Sequence, residues 1–246
     1  MSDQPAIVDL CSWRTIRVTG PDALEWLDDL VSAGVSGLRP HESRRSLLLT
    51  PTGRIRADFH VTAFDDGFQL IQDPIQPKPI DALLGPYVLS SEVVLDAGDD
   101  DDFRPAMWKE DMLAPIGWTF ETPAMSLEQF DEWRIRRGIP RFGVDLDEES
   151  LPQEAGWERF IDFTKGCFMG QEAMAKIRNM GGHPTRVVRP LRAEMPAAEG
   201  EAIMANGHRV GVVTSAGGTD VIARISWPAR DETLTTESGV ALSDRA

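Results

Sequence analysis

Cysteine is scarce in this chain. Of 246 residues only Cys11 and Cys167 carry a thiol. Two cysteines far apart in sequence do not make a disulfide framework. They are also too few to hold an iron–sulfur cluster by thiolate ligation. Histidine is nearly as sparse: His41, His60, His183 and His208 are scattered without ligand spacing, so no metal site of the usual Cys/His type is expected. Long apolar runs are missing, and none approaches the roughly 20 residues of a membrane-spanning helix. Positive charge is in deficit, with 25 lysines and arginines against 40 acidic residues and a net charge of −15. That balance opposes non-specific attraction to nucleic acid or to an anionic bilayer, and neither is expected as a direct partner. The start, Met1-Ser2-Asp3-Gln4-Pro5, lacks the basic-then-apolar pattern of a secretory signal, so the expected location is cytoplasmic.

What is present describes a globular protein. Hydrophobic residues make up 41% and charged residues 26%, enough for one large domain or two to three small ones. The arginines are bunched, with Arg44, Arg45, Arg54 and Arg56 in one group and Arg134, Arg136, Arg137 and Arg141 in another. A local basic patch on an acidic protein suits a small anionic ligand. For any single arginine, pairing with a surface carboxylate is the simpler explanation.

Residues 14–19 alternate apolar and polar and predict a strand. Gly20-Pro21-Asp22 then opens a helix whose apolar stripe is Leu24, Leu27 and Val31. Residues 46–49 predict a buried strand, and Thr50-Pro51-Thr52-Gly53 a turn. In the next strand Ile55, Ala57, Phe59 and Val61 share one face, and Arg54, Arg56, Asp58 and His60 the other. Asp66-Gly67 returns the chain into a strand at 68–71. A loop marked by Pro74, Pro77 and Pro79 precedes a short helix at 80–84 and a strand at 92–95. Residues 98–102 are an acidic, solvated loop without calcium-loop spacing, and 103–125, which include Trp108 and Trp118, show no clear periodicity. Ser126 and Gln129 form a capping box for a helix over 127–137, with Phe130, Trp133 and Arg137 on one side. Gly138 and Pro140 stop it. Residues 142–156 read as polar loop. From Thr185 onward, short apolar–polar runs around an Asn206-Gly207 hairpin signal predict a small all-β module of five or so strands.

The most specific feature is Lys165-Gly166-Cys167-Phe168-Met169-Gly170-Gln171-Glu172. It resembles the Lys-Gly-Cys-[Phe/Tyr]-x-Gly-Gln-Glu signature of the YgfZ-type folate-binding family, relatives of the glycine-cleavage T-protein. The resemblance continues in order along most of the chain. It includes Val18 to Ala23, Leu49 to Ile55 with Asp58, Arg134 to Pro140, Asp145, Leu151 to Glu154, and Val210 to Ser215.

The resemblance implies an α+β, three-lobed T-protein-like fold around a central hole that holds tetrahydrofolate or a related reduced folate, ending in a small β-barrel. The lobes would be 1–78 with 140–182, then 79–139, then 183–246. It implies a role in the assembly or repair of iron–sulfur enzymes, including tRNA-modifying ones, with those client proteins as partners. The T-protein's acid–base aspartate falls at Asp58 in this alignment, and its folate-binding asparagine falls at Asp73. This chain is shorter than a T-protein, chiefly in the middle lobe. A folate-dependent aminomethyl or methyl transferase or demethylase is therefore kept as one alternative, and a partner-binding scaffold without folate as another.

The candidate catalytic residues are Cys167, Lys165 and Asp58. A cation two residues away and a helix beginning near Gly170 would both favour the Cys167 thiolate; the plain alternative is a small buried residue. The candidate folate contacts are Asp58, Arg45, Arg134, Glu154, Gln171 and Glu172. Gln171 and Glu172 in a first helical turn serve the helix dipole in any case, Glu154 reads equally as an ordinary loop residue, and Asp58 on pattern alone belongs to a solvated face.

Overall fold

The structure is a computed structural model and describes residues 6–8, 10, 12–89, 91–97, 106–109, 112–115, 125–179 and 181–245. Cys11, Trp118 and the acidic stretch 98–102 lie outside the described residues. The chain groups into two compact units. One is Met1–Leu127 with Arg159–Lys176, and the other is Glu128–Glu158 with Ile177–Ala246.

Among its described residues the first unit holds eight strands, two helices, and the start of a further helix taken up below. The strands are β1 (Ala6–Val8), β2 (Arg14–Thr19), β3 (Ser43–Leu49), β4 (Ile55–Phe64), β5 (Gly67–Gln72), β6 (Val94–Asp96), β7 (Ala106–Lys109) and β8 (Met112–Pro115). The helices are α1 (Ala23–Leu30) and α2 (Ile80–Leu84). An antiparallel five-stranded sheet runs β3-β4-β5-β2-β6, and β1-β7-β8 form a smaller one. One face of the large sheet, built from Ile16, Val18, Ala57, Phe59, Val61 and Leu70, packs with Trp26, Leu27, Leu30, Ile80 and Leu84 as a continuous core. Each large side chain fully buried there contributes on the order of 1.5–3 kcal/mol.

The predicted stripe of α1 needs correction. The buried set is Ala23, Trp26, Leu27 and Leu30, while Leu24 is 45% exposed. The helix turns Trp26 rather than Leu24 inward because the indole covers more apolar area and its N–H finds the Tyr87 carbonyl at 2.8 Å. Val31 is buried but lies beyond the helix in an extended conformation. The polar face of β4 also departs from expectation. His60 is 2% exposed and the Asp58 side chain 13%, so this face is covered rather than solvated.

In the second unit, α3 (Leu127–Arg137) ends as predicted at Gly138, which adopts φ +69°. Its N–H reaches the Ile135 carbonyl, and the Ile139 N–H reaches that of Arg134. This is the paired closure that a left-handed glycine permits. The inward residues of α3 are Phe130, Arg134 and Ile135, so an arginine takes the place expected of Trp133. Pro152–Ala155 form a short 3-10 turn within the expected loop, and Glu154 is buried there.

The C-terminal module is a closed six-stranded barrel. It comprises β9 (Arg186–Ala193), β10 (Ala202–Ala205), β11 (His208–Gly217), β12 (Asp220–Ser226), β13 (Leu234–Thr236) and β14 (Ala241–Asp244), in the order β10-β11-β12-β9-β14-β13. Pairing of β10 with β13 closes the ring and removes both sheet edges. Asn206 and Gly207 both have positive φ, the geometry of a type I′ hairpin turn. The strands β13 and β14 are too short for alternation to reveal them.

Candidate functional site

The signature segment lies between two anchors, both within the first unit. On its N-terminal side the Lys165 side chain is 5% exposed. Its ammonium donates to the carbonyl of Asp28, to that of Val31 at 2.7 Å and to that of Ala33 at 3.2 Å. The Asp28 carboxylate lies 3.6 Å away, and the Phe168 ring centroid 5.3 Å away. Burial pushes the Lys165 ammonium below the ordinary lysine value, and Asp28 opposes that shift.

On the C-terminal side, α4 (Gln171–Asn179) begins directly after Gly170. Gly170 has φ +86°, and a Cβ there would stand 2.6 Å from the Thr50 carbonyl oxygen and 2.9 Å from the Leu49 side chain. Only glycine lets the helix start sit this close to the turn after β3. Gly53 in that same turn has φ +81°, and its missing side chain leaves room for Met174 of α4. Phe168 is buried and Met169 packs on the sheet core.

Between these anchors Gly166 and Cys167 are exposed, and nothing lies within 4 Å of the Cβ position at Gly166. The thiol is free and presented to solvent. Cys167 is separated from α4 by Phe168, Met169 and Gly170. Gln171 is half-buried and Glu172 exposed in the first turn of the helix.

Asp58 belongs to β4. Arg45 on β3 grips it with two parallel bonds, Nε to Oδ1 at 2.8 Å and Nη2 to Oδ2 at 2.7 Å. The guanidinium of Arg45 also lies 4.7 Å from the Phe160 ring centroid. Gln76 pins the Asp58 backbone. Its Oε1 accepts from the Asp58 N–H at 3.1 Å, and its Nε2 donates to the Asp58 carbonyl at 2.6 Å. Gln72 in turn donates to Gln76, and Asp73 caps the Ile75 N–H. A carboxylate has about four acceptor positions, and Arg45 takes two, so Asp58 keeps capacity for a further donor. Two residues back on the same strand, Arg56 donates to the Tyr87 hydroxyl at 3.3 Å, and that hydroxyl contacts the Met169 sulfur at 3.6 Å. These contacts link the Asp58 strand to the signature.

Beside this pair His60 is wholly buried. Its pKa falls well below the ordinary histidine value, first through burial and then through the charge of Arg45.

Arg134 and Glu154 belong to the second unit, and each is engaged within it. Arg134 donates to Asp131 at 2.8 Å, Asp145 at 2.5 Å and Ser215 at 2.8 Å. Asp145 also accepts from the Arg141 N–H, Thr214 and Ser215. Glu154 accepts from Arg186 at 2.6 Å and from the Leu151 N–H at 3.1 Å. Arg186 continues to Asp147 and Ser150. Of the residues named from sequence, the fold thus unites Arg45 with Asp58. It sets Lys165, Cys167, Gln171 and Glu172 on one loop-and-helix segment.

Sequence reading missed Gln76, Tyr87, Phe160 and Asp28. Gln76 sits in a proline-marked loop with no periodicity, and the others show their role only once distant segments meet.

No family model matches this sequence. An aminomethyltransferase of Thermoanaerobacter pseudethanolicus is 23% identical over 76% of this chain and 48% of its own length. A mitochondrial iron–sulfur cluster assembly factor IBA57 homolog of Pyricularia oryzae is 28% identical over 70% of this chain and 54% of its own length. The chain thus spans about half the length of these two relatives. The crystal structure of glycine cleavage system aminomethyltransferase T from Bartonella henselae superposes with a TM-score of 0.81, at 19% identity, over 98% of this chain and 85% of that one. The chain therefore has the α+β fold of the aminomethyltransferase T class, with a small C-terminal β-barrel. It is thus related, in fold and at low sequence identity, to the glycine-cleavage aminomethyltransferases.

Proposed function

We propose that this protein binds tetrahydrofolate or a related reduced folate and supports the assembly or repair of iron–sulfur enzymes, tRNA-modifying enzymes among them. The observation that carries the reading is the exposed Cys167, held on a short loop between two buried anchors in the segment that matches the family signature. A thiol fixed in position at the surface is suited to meeting a partner's cluster or thiol; a packing cysteine would be buried. The relationship to a named iron–sulfur cluster assembly factor supports the same direction. The three-lobed division of the chain belongs to this proposal.

The residues present fit a folate. Asp58 retains acceptor positions for the amine and N–H donors of a pterin, and its backbone and Arg45 hold it rigid. Arg56 on the same strand face supplies a cation for an anionic tail. Bound folate would supply a one-carbon carrier. What the chain's own residues do is orient it and accept hydrogen bonds from it. Calorimetric titration with tetrahydrofolate tests the reading. Saturable heat is expected, with a rise in unfolding free energy of about 2.7 kcal/mol at a hundredfold excess over Kd. No heat and no thermal shift would reject folate binding.

The second reading is a folate-dependent transferase. It is favoured by the acceptor capacity left on Asp58 and by the aminomethyltransferase relatives. Transfer of a one-carbon unit to tetrahydrofolate from an aminomethyl or methyl donor, abolished in Asp58→Asn while folate still binds, would establish it.

A further inference from the structure

We infer that Lys165 is a positioning residue: its ammonium closes the C-terminal end of α1 and thereby fixes the loop that presents Cys167. The inference deepens the proposed role of Cys167 and rests on the same loop. It assigns the lysine a task different from activating the thiol, the role expected from its place two residues away.

The geometry starts with a helix that has no cation in its last turn and whose C-cap, Val31, satisfies the Leu27 carbonyl. The last carbonyls of any α-helix have no partner within the helix, and its C-terminal end carries partial negative charge. Lysine or arginine in the last turn commonly answers both needs. In α1 the last turn contains no basic residue, and the chain leaves it at Val31 in an extended conformation. The carbonyls of Asp28, Val31 and Ala33 converge instead on one point, where the Lys165 ammonium sits. An ammonium has three donors and no acceptor. All three go to these carbonyls, so no N–H of Lys165 is left to reach the thiol.

The same point is tied in from several sides. Asp28 offers its carboxylate to the ammonium at 3.6 Å and accepts the Val35 N–H at 2.7 Å, which holds the segment after α1 in place. Ser32 in that segment donates to the Phe160 carbonyl and accepts from the Leu47 N–H. Its own carbonyl accepts the Asp162 N–H. Phe168, just past the cysteine, offers its ring to the same cation. The lysine therefore gathers residues 28–33 and both flanks of Cys167 around one buried charge. Removing it takes the charged donor from three carbonyls and the cation from the Asp28 carboxylate, and the loop loses its seat.

The test uses the full-length chain without folate, so its outcome is independent of the folate reading. In Lys165→Met, which keeps the side chain's shape, exchange of the hydrogen-bonded amides of Val31, Ser32, Ala33 and Val35, and of Gln171 where the signature loop meets α4, is expected to quicken at least tenfold. Amides of β11 and β12 in the barrel should stay as they were. Lys165→Ala with added ethylammonium should recover protection in those same amides, because a cation can return to the carbonyl cluster, whereas n-propanol of similar size should not. If Lys165→Met does not fold, Asp28→Asn, which keeps an acceptor for Val35 and removes the facing charge, should show a smaller loss in the same amides.

Unchanged exchange in Lys165→Met would overturn the inference. So would a rate of Cys167 alkylation by iodoacetamide, read by peptide mass, that falls in this variant with exchange unaltered; that pattern belongs to activation of the thiol. Equal rescue by propanol would also overturn it, since it would reduce the lysine to packing volume.

Discussion

Two aspartates, each held by a buried arginine, show how one pairing serves two ends. Asp145 in the second unit is fully buried and accepts four hydrogen bonds, from Arg134, the Arg141 N–H, Thr214 and Ser215. Its acceptor positions are full. Among the described residues the Asp58 carboxylate in the first unit accepts the two bonds of Arg45, and 13% of its side chain meets solvent. The saturated carboxylate is a structural node joining the segment after α3 to the barrel. The half-used one is fixed just as firmly yet can still accept from a ligand. Burial and an arginine partner alone do not separate the two. The number of acceptor positions left over does.

The largest effect should come from breaking the saturated node. Asp145→Ala leaves the Arg134 guanidinium, 3% exposed, with the partly exposed Asp131 as its remaining carboxylate and takes an acceptor from both Thr214 and Ser215. A loss of about 3–5 kcal/mol is expected in urea unfolding. A loss under about 1 kcal/mol would remove the distinction between the two sites.

Asp58→Asn should destabilise less, by about 1–3 kcal/mol, because the amide still accepts one bond from Arg45. Its sharper signature is a fall of at least tenfold in tetrahydrofolate affinity, about 1.4 kcal/mol. Unchanged affinity would put Asp58 in the same structural class as Asp145.

The smallest effect is a pH dependence beside Asp58. His60 is held neutral in the fold, its pKa well below 6.5, chiefly by burial. The unfolded chain, with an ordinary imidazole, takes up a proton first as pH falls through about 6.5. Over that range the unfolded state binds more protons, so stability decreases toward acid. The slope should approach about 1.4 kcal/mol per pH unit between roughly pH 6 and 5, and it should flatten in His60→Gln. The depressed carboxyl of Asp147, held by Arg186 and Ser150 against its burial, acts in the same direction only below its ordinary value of 3.8. Urea midpoints between pH 7 and 5 therefore report chiefly on the histidine, the depressed carboxyls of Glu42 and Glu201 adding in the same direction as pH nears their ordinary 4.5. A flat wild-type profile would show that His60 protonates as readily folded as unfolded.

Much of this was legible before any coordinates. Alternation at Ile55, Ala57, Phe59 and Val61 identified the inward face of β4, because a strand's side chains alternate by backbone geometry alone. Gly138 with Pro140, and Asn206 with Gly207, marked a helix end and a hairpin, because few residues accept positive φ. The eight-residue signature located the segment that carries the exposed thiol.

Other features could be decided only by tertiary structure. α1 turned Trp26 inward and Leu24 outward, since the helix faces whichever stripe buries more area against the sheet. Arg134 and Glu154, candidate folate contacts from sequence, pair in the fold with Asp145 and Arg186, partners that sequence spacing does not announce. Lys165 stands two residues from Cys167, and from sequence its charge belonged to the thiol. In the fold it reaches carbonyls more than 130 positions away. Local sequence determines which conformations a segment can adopt. A buried charge is bound instead by whichever unpaired groups the packed chain brings within about 3 Å, and that proximity exists only once the chain has folded.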